Sequence, residues 1–158
     1  MPFNDRMHVW PASGVPRMKT GISVSEAMTK HPITVPPGTN LQTCAQVMLD
    51  HHVGSLLVKD GPGVVGIITE QDIVRKAVIK DMVASKTDVD DIMAMDLKVV
   101  SPKQDVADAI KLMRDQNIRH LPVVDERGQF TGLITAKDIL RIQPELFKLL
   151  AEKIEKRK

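Results

Sequence analysis

The chain has 158 residues, 22 Lys and Arg against 20 Asp and Glu, and a single cysteine, Cys44. This length suits one compact domain or two very small ones that share a core. The near-even charge argues against a protein whose main task is binding the phosphate backbone of nucleic acids, and an aromatic content of 3% disfavours a base-stacking RNA platform. One cysteine excludes an intramolecular disulfide and a Cys-based zinc site, and it favours a reducing, cytoplasmic compartment. No apolar run approaches the length of about 18 residues that a membrane span needs.

Residues 1–21 are expected to form an extended arm. This segment contains three prolines and two glycines and has no apolar core, so it is not expected to be a signal peptide. Trp10 either anchors the arm on a surface or is an incidental aromatic residue of a loose terminus.

An internal repeat organises the rest of the chain. Val24 aligns with Val89, 65 positions later, and one inserted residue then changes the shift to 66. Further aligned pairs are Met28 with Met93, Val35 with Val100, Met48 with Met113, Gly66 with Gly132, Thr69 with Thr135 and Asp72 with Asp138.

Each copy predicts the element order β-α-β-β-α. In the first copy a strand ends at Val35, and the next helix carries an apolar stripe at i, i+3, i+4 and i+7. We expect Thr39 and Gln42 to form the capping box of this helix. A hairpin of residues 55–59 and 64–68 follows, and a last helix begins after Thr69. The predicted stripe consists of Leu41, Cys44, Ala45 and Met48.

The second copy repeats this pattern. A strand ends at Val100, the hairpin strands cover residues 120–124 and 130–134, and the last helix begins after Thr135. Pro144 suits the first position of a further amphipathic helix with a basic end. The helix stripe of this copy consists of Val106, Ala109, Ile110 and Met113, and that of the terminal helix of Phe147, Leu150 and Ile154.

These elements predict an α+β fold in which the two β-α-β-β-α repeats pack sheet against sheet about a pseudo-two-fold axis. The predicted segments are an arm at 1–21, repeat 1 at 22–82, repeat 2 at 83–142 and a C-terminal amphipathic helix at 143–158. Such packing would leave related clefts between the copies. Helix faces beyond those that cover the sheets, including Val47 and Leu112, would need a partner, which predicts a homodimer.

Three glycines, Gly61, Gly63 and Gly66, spell the G-x-G-x-x-G pattern of dinucleotide-binding proteins. That motif must connect a strand to a helix, whereas here it lies between two predicted strands. We therefore interpret it as the turn of a β-hairpin.

A Thr-x-x-Asp motif occurs at the start of the last helix in both copies. Thr69 with Asp72, and Thr135 with Asp138, would each form an ordinary capping box. Their duplication, directly after an apolar strand where a cleft should open, favours a binding role in addition. The two roles are compatible, because a carboxylate has several acceptor positions.

The same motifs carry a family resemblance. Residues 66–73, GIITEQDI, and 132–139, GLITAKDI, resemble the signature of the cystathionine β-synthase (CBS) domain. The AMT at residues 27–29 and the HLPVVD at residues 120–125 are similar to it as well. The resemblance covers about residues 24–141 and implies a tandem CBS pair, or Bateman module. Such pairs commonly bind AMP, ADP, ATP or S-adenosylmethionine and regulate an attached or partner protein.

The resemblance also implies roles for individual residues. The motif aspartate would accept hydrogen bonds from ribose hydroxyls, and the motif threonine would contact phosphate or ribose. A first-strand residue would line the adenine slot, and the polar residues before the second strand would reach phosphate. Lys137, beside the motif aspartate, adds a cation. The alternative to a ligand contact for His120 is an ordinary hairpin residue that hydrogen-bonds to the backbone. The candidate ligand-binding residues are Thr135, Asp138, Arg119, His120, Lys137, Thr69, Asp72, Thr34, Val99 and Ser55.

The function predicted is an adenosine-nucleotide sensor that acts on a separate, unidentified protein. No cofactor, metal ion, membrane or nucleic acid is expected to take part. One alternative is a ligand-free dimerising scaffold with empty sites. Another is a small enzyme on the same fold, against which stands the lack of a nucleophile with its base or of a set of metal ligands.

Overall fold

The computed structural model describes residues 7–9, 19–148 and 151 and has a mixed α+β fold with two β-α-β-β-α repeats. Trp10 and most of the predicted arm lie outside these residues. In chain order the elements are β1 (Met7–Val9), α1 (Val24–Ala27), β2 (Thr34–Val35), α2 (Leu41–His51), β3 (Ser55–Asp60), β4 (Gly63–Thr69), α3 (Glu70–Asp72), β5 (Leu97–Val99), α4 (Val106–Gln116), β6 (His120–Val124), β7 (Phe130–Thr135) and α5 (Ala136–Ile142).

The chain divides into two compact units. The first-repeat unit is Pro32–Leu97, and the second-repeat unit joins the described residues up to His31 to those from Lys98 onward. The first-repeat unit therefore contains the strands and helices of repeat 1 and the residues that lead into β5. The second-repeat unit contains those of repeat 2 and the residues that lead into β2.

The first-repeat unit is built on a three-stranded sheet with β3 in the centre. Strand β2 pairs with β3 in parallel, and β4 pairs with it antiparallel, with a register shift between Val58 and Lys59. Gly61, in the β3–β4 turn, has a positive φ of 59°, so the glycine-rich stretch joins two strands, as the sequence predicted. The core of this unit contains Val35, Leu41, Cys44, Met48, Leu56, Val58, Ile68, Ala77, Val89 and Ile92.

Helix α2 begins differently from the prediction. Its N-cap is Asn40, whose Oδ1 accepts a hydrogen bond from the backbone N–H of Thr43 at 2.8 Å. The expected Thr39–Gln42 box is wrong, because the Thr39 hydroxyl donates instead to the carbonyl of Pro36. The predicted stripe is buried except for Ala45, which is exposed.

Helix α3 continues into a π-helical turn at Ile73–Val78. Several large apolar side chains lie exposed on and after this turn. Val78 is 63% exposed and Ile79 is 77% exposed, and Val74, Met82 and Val83 extend the apolar surface. We call these five residues the exposed apolar stripe.

The second-repeat unit repeats the same core arrangement. Strands β6 and β7 form an antiparallel hairpin, and Val100 bridges to Val123 in parallel, as β2 does with β3. Strand β1 pairs with β5. Helix α4 buries its predicted stripe, and Leu112 also lies in this core with 1% exposure. The prediction that Leu112 needs a partner molecule was therefore wrong, since its own unit covers it.

Two equivalent segments pack against glycines in the sheets. The backbone at Thr29 forms an antiparallel bridge to Leu133, beside Gly132. The backbone at Ala94 bridges in the same way to Ile67, beside Gly66. Both glycines are needed for close approach, because a Cβ on either would lie within 3.0 Å of a neighbouring atom.

The chain after α5 begins with a short 3₁₀ turn, Pro144–Leu146. Leu146 is buried in the core, whereas Phe147, expected on the buried stripe, is 56% exposed. Leu150 and Ile154 lie outside the described residues. No helix in the described part of the chain has the length and apolarity needed to cross a membrane.

Candidate ligand-binding site

In the second-repeat unit the motif residues meet where β7 passes into α5. The backbone N–H of Thr135 donates to Asp138 Oδ2 at 3.0 Å, and the N–H of Asp138 donates to Thr135 Oγ1 at 3.2 Å. This is the predicted capping box, which stabilises the helix start by about 1 kcal/mol. Within residues 19–148, Asp138 Oδ1 has no hydrogen-bond partner, so it remains able to accept a ligand hydroxyl.

Two further predicted residues lie at the same corner. His120 is paired with Thr135 across the hairpin, and its Nδ1 is buried. The carbonyl of Arg119 accepts a hydrogen bond from the N–H of Ala136 at 3.0 Å. The side chains of Arg119 and Lys137 are exposed. The second copy therefore brings Arg119, His120, Thr135, Lys137 and Asp138 together, while Val99 lies fully buried in β5.

The first-repeat unit has the same corner with different chemistry. Thr69 and Asp72 form the equivalent capping box, with the Thr69 N–H donating to Asp72 Oδ2 at 3.0 Å. The other carboxylate oxygen, Asp72 Oδ1, forms an ion pair with Lys76 at 3.2 Å. Ser55 is buried opposite Thr69, and Thr34, on β2, is exposed opposite Leu57 of β3.

Sequence reasoning missed Glu70 at this corner. Its N–H donates to the carbonyl of Gly54 at 3.0 Å, and its carboxylate lies over the side of Gly54 where a Cβ would project. The one available signal was that a glycine precedes β3 in this copy, where the other copy has Arg119.

Sequence reasoning also missed the hydrogen bonds of another carboxylate. Asp105, the N-cap of α4, accepts hydrogen bonds from the Thr20 hydroxyl at 2.7 Å and from the N–H groups of Thr20 and Gly21 at 2.8 and 3.0 Å. Burial opposes ionisation of Asp105, but these bonds and one from the Ala107 N–H outweigh it, so its pKa lies below the usual value. These hydrogen bonds hold residues 20–21 at the start of α4.

Neither corner has the composition of a metal site. No group of three His, Cys, Asp or Glu that could hold a metal ion occurs among residues 19–148. What the corners offer is a carboxylate beside a threonine, with exposed cations in the second copy. Such groups can accept hydrogen bonds from hydroxyls and attract anions.

Comparison with known proteins agrees with this arrangement. The sequence matches the CBS domain over residues 24–79 and again over residues 89–145. The chain belongs to the CBS domain family. This CBS pair is 36% identical to an uncharacterized Methanopyrus kandleri protein, MK0525, over 138 residues, covering 85% of this chain and 69% of the relative.

A solved structure of similar fold is the CBS domain pair of protein MJ0100 in complex with 5′-methylthioadenosine and S-adenosyl-L-methionine. Its TM-score is 0.70 at 27% identity, covering 78% of this CBS pair and 97% of that chain. The CBS pair is also 34% identical, over 124 residues, to part of a homoserine O-acetyltransferase from Methanococcoides burtonii. That match covers 78% of this chain but 24% of the enzyme, so it concerns one part of the enzyme.

Proposed function

We propose that this CBS pair is a regulatory module that binds an adenosine-type ligand (AMP, ADP, ATP or S-adenosylmethionine) and transmits its occupancy to a partner protein. The observation that carries the proposal is the duplicated Thr-x-x-Asp corner. In the second copy Asp138 uses one oxygen for the helix and keeps Oδ1 for another donor. The adenosine compounds in the MJ0100 complex support this ligand class.

The second-repeat corner is proposed as the stronger site for phosphorylated ligands. Arg119 presents a planar donor fork that suits phosphate oxygens, and Lys137 adds a second exposed cation. Asp138 and Thr135 are assigned to the ribose side, and His120 to the phosphate side. Val99, which is fully buried in β5, is the proposed adenine-side residue of this copy.

The first-repeat corner is proposed as the weaker of the two. Thr69 and Asp72 have the same positions there, but Lys76 already occupies one oxygen of Asp72. Ser55 offers a neutral hydroxyl where the other copy has a histidine, and Thr34 is the proposed adenine-side residue. No reaction, metal ion or tightly held cofactor is assigned to either corner.

A panel of AMP, ATP, S-adenosylmethionine, adenosine and NAD in a thermal-shift assay tests the proposal. A ligand at a hundredfold excess over its Kd stabilises the folded state by about 2.7 kcal/mol. For a chain of this size the Tm should rise by roughly 5–10 °C. A flat response to the whole panel at millimolar concentration would rule out the sensor function. Analysis of the ligands after incubation should return them unchanged, whereas product formation would indicate an enzyme.

Variants of the second corner test its assignment. Arg119→Ala should weaken AMP binding at least about tenfold and leave adenosine binding nearly unchanged, and its effect should shrink at high salt. Asp138→Ala should weaken both ligands, because both contain ribose. Arg127→Ala, at an exposed arginine in the β6–β7 turn, is the matched control. Equal losses of adenosine and AMP in Arg119→Ala would show that this arginine does not meet phosphate.

The exposed apolar stripe, rather than Leu112, now supports the predicted homodimer. Ile79 and Val78 are among the most exposed large apolar side chains described, and two-fold pairing of identical stripes would cover them. Light scattering at tens of micromolar should report a dimer, and Ile79→Glu should report a monomer. Phe147→Glu, at a residue 56% exposed in the other unit, should leave the mass unchanged.

The stripe also supports the alternative function, a dimerising scaffold without ligand. In that case the Thr-x-x-Asp boxes serve only as helix caps. A dimer that shows no thermal shift with any adenosine ligand would favour the scaffold over the sensor.

A further inference from the structure

The two corners differ at a pair of neighbouring positions, Gly54 with Glu70 in the first copy and Arg119 with Ala136 in the second. The two pairs make the same backbone hydrogen bond. The N–H of Glu70 donates to the carbonyl of Gly54 at 3.0 Å, and the N–H of Ala136 donates to the carbonyl of Arg119 at 3.0 Å. These residues are therefore structural counterparts as well as sequence counterparts.

Glu70 uses the space that the missing side chain of Gly54 leaves. A Cβ built on Gly54 would lie 3.5 Å from Glu70 Cδ and 3.5 Å from Oε2. The carboxylate thus rests beside the residue whose counterpart in the second copy is a cation. Within residues 19–148 no ion-pair partner is found for Glu70.

The charge around the two corners differs accordingly. The first-copy cations are Arg75 and Lys76, against the carboxylates of Glu70 and Asp72. The second-copy cations are Arg119, Lys137 and Arg141, against the carboxylate of Asp138. Lys76 is moreover held by Asp72 and donates to the carbonyl of Ile92 at 3.1 Å. The first corner therefore has no excess positive charge with which to bind a phosphate, and the second corner does.

The geometry points to Glu70 as the residue that makes the first-repeat site select adenosine-type ligands whose 5′ substituent is neutral or cationic. This inference rests on the proposed function and adds the ligand class of one site. Where the second copy offers an arginine to the 5′ group, the first copy offers a carboxylate. A phosphate there meets like charge, whereas an amine or sulfonium group is attracted.

Calorimetry with adenosine, AMP and 5′-amino-5′-deoxyadenosine on the full chain tests the inference. Glu70→Gln keeps the size of the side chain and removes its charge. At the first-repeat site, Glu70→Gln should raise the affinity for AMP relative to adenosine by about threefold to tenfold. It should also lower the affinity for 5′-amino-5′-deoxyadenosine relative to adenosine. The first-repeat site is identified as the one that Asp72→Ala abolishes. Glu145→Gln, an exposed glutamate in the other unit, should change neither ratio.

The outcomes separate the inference from the function on which it rests. Unchanged ratios in Glu70→Gln, or adenosine binding that Asp72→Ala does not affect, would overturn the role of Glu70 and leave the second-repeat site intact. No binding of any probe to the unaltered chain would overturn the proposed function itself. Loss of the ratio effect at high salt is the further result expected if charge is the cause.

Discussion

Replacing Gly132 by alanine tests how residues 28–29, which precede strand β2 of the first repeat, are held. The φ of Gly132 is not in the left-handed region, so alanine can adopt its backbone conformation. In open space such a change stabilises a protein by about 0.4–1 kcal/mol, because the unfolded chain loses freedom. Here the new Cβ would lie 2.7 Å from the carbonyl oxygen of Thr29 and 2.8 Å from Met28 Sδ.

The carbonyl of Thr29 cannot move away without cost. It accepts a hydrogen bond from the N–H of Leu133 at 3.0 Å, and the Thr29 N–H donates to the Leu133 carbonyl at 2.8 Å. Overpacking costs about 1–3 kcal/mol, and each of the two hydrogen bonds contributes about 1 kcal/mol if it is lost. When the stabilisation from the less flexible unfolded chain is subtracted, we expect Gly132→Ala to lower the free energy of unfolding by about 2–4 kcal/mol. The Tm should fall by roughly 5–12 °C.

Denaturant unfolding of three alanine variants measures this effect. Gly54→Ala is the control, because its Cβ would meet only the Glu70 side chain at ordinary contact distance, and it should be neutral or stabilising. Gly66→Ala should be intermediate, since its closest neighbour is the flexible side chain of Met93 and the Ala94 carbonyl lies at 3.2 Å. A Gly132→Ala variant as stable as the unaltered chain would refute the packing of residues 28–29 against this glycine.

Two further predictions concern titratable groups. Because the pKa of Asp105 is held below its usual value, its stabilising effect is present above the unfolded-state pKa and is lost as the pH falls through the folded-state value. Asp105→Asn should therefore flatten the dependence of the unfolding free energy on pH below about pH 5, as followed by urea titrations, and an unchanged acid slope would contradict the Thr20–Asp105 contact. Burial raises the pKa of the Cys44 thiol, which is fully buried, so a thiol reagent at neutral pH should modify it only at the rate of unfolding. Rapid modification of the folded chain would show that α2 does not cover it.

The candidate site was partly predictable for a local reason. Thr135 and Asp138 are three residues apart, so the capping box that joins them depends only on the helix start, and the sequence alone predicts it. The same holds for Thr69 with Asp72 and for the strand that precedes each pair. Glu70 beside Gly54 was not predictable in this way, because the two residues are brought together by the packing of a helix start against the beginning of another strand.

The sequence by itself determined the duplication, the β-α-β-β-α order and the strands of both hairpins, because these depend on periodicity and turn residues over short stretches. Only the tertiary structure decided which side chains of a helix are covered. Leu112 is buried in its own unit, whereas Ala45, on the predicted stripe, is exposed. It also decided that Thr29 packs on Gly132 of the other repeat and Ala94 on Gly66. Such contacts join residues far apart in the chain, and no local pattern specifies a partner at that distance, since it is chosen by the fit of whole surfaces.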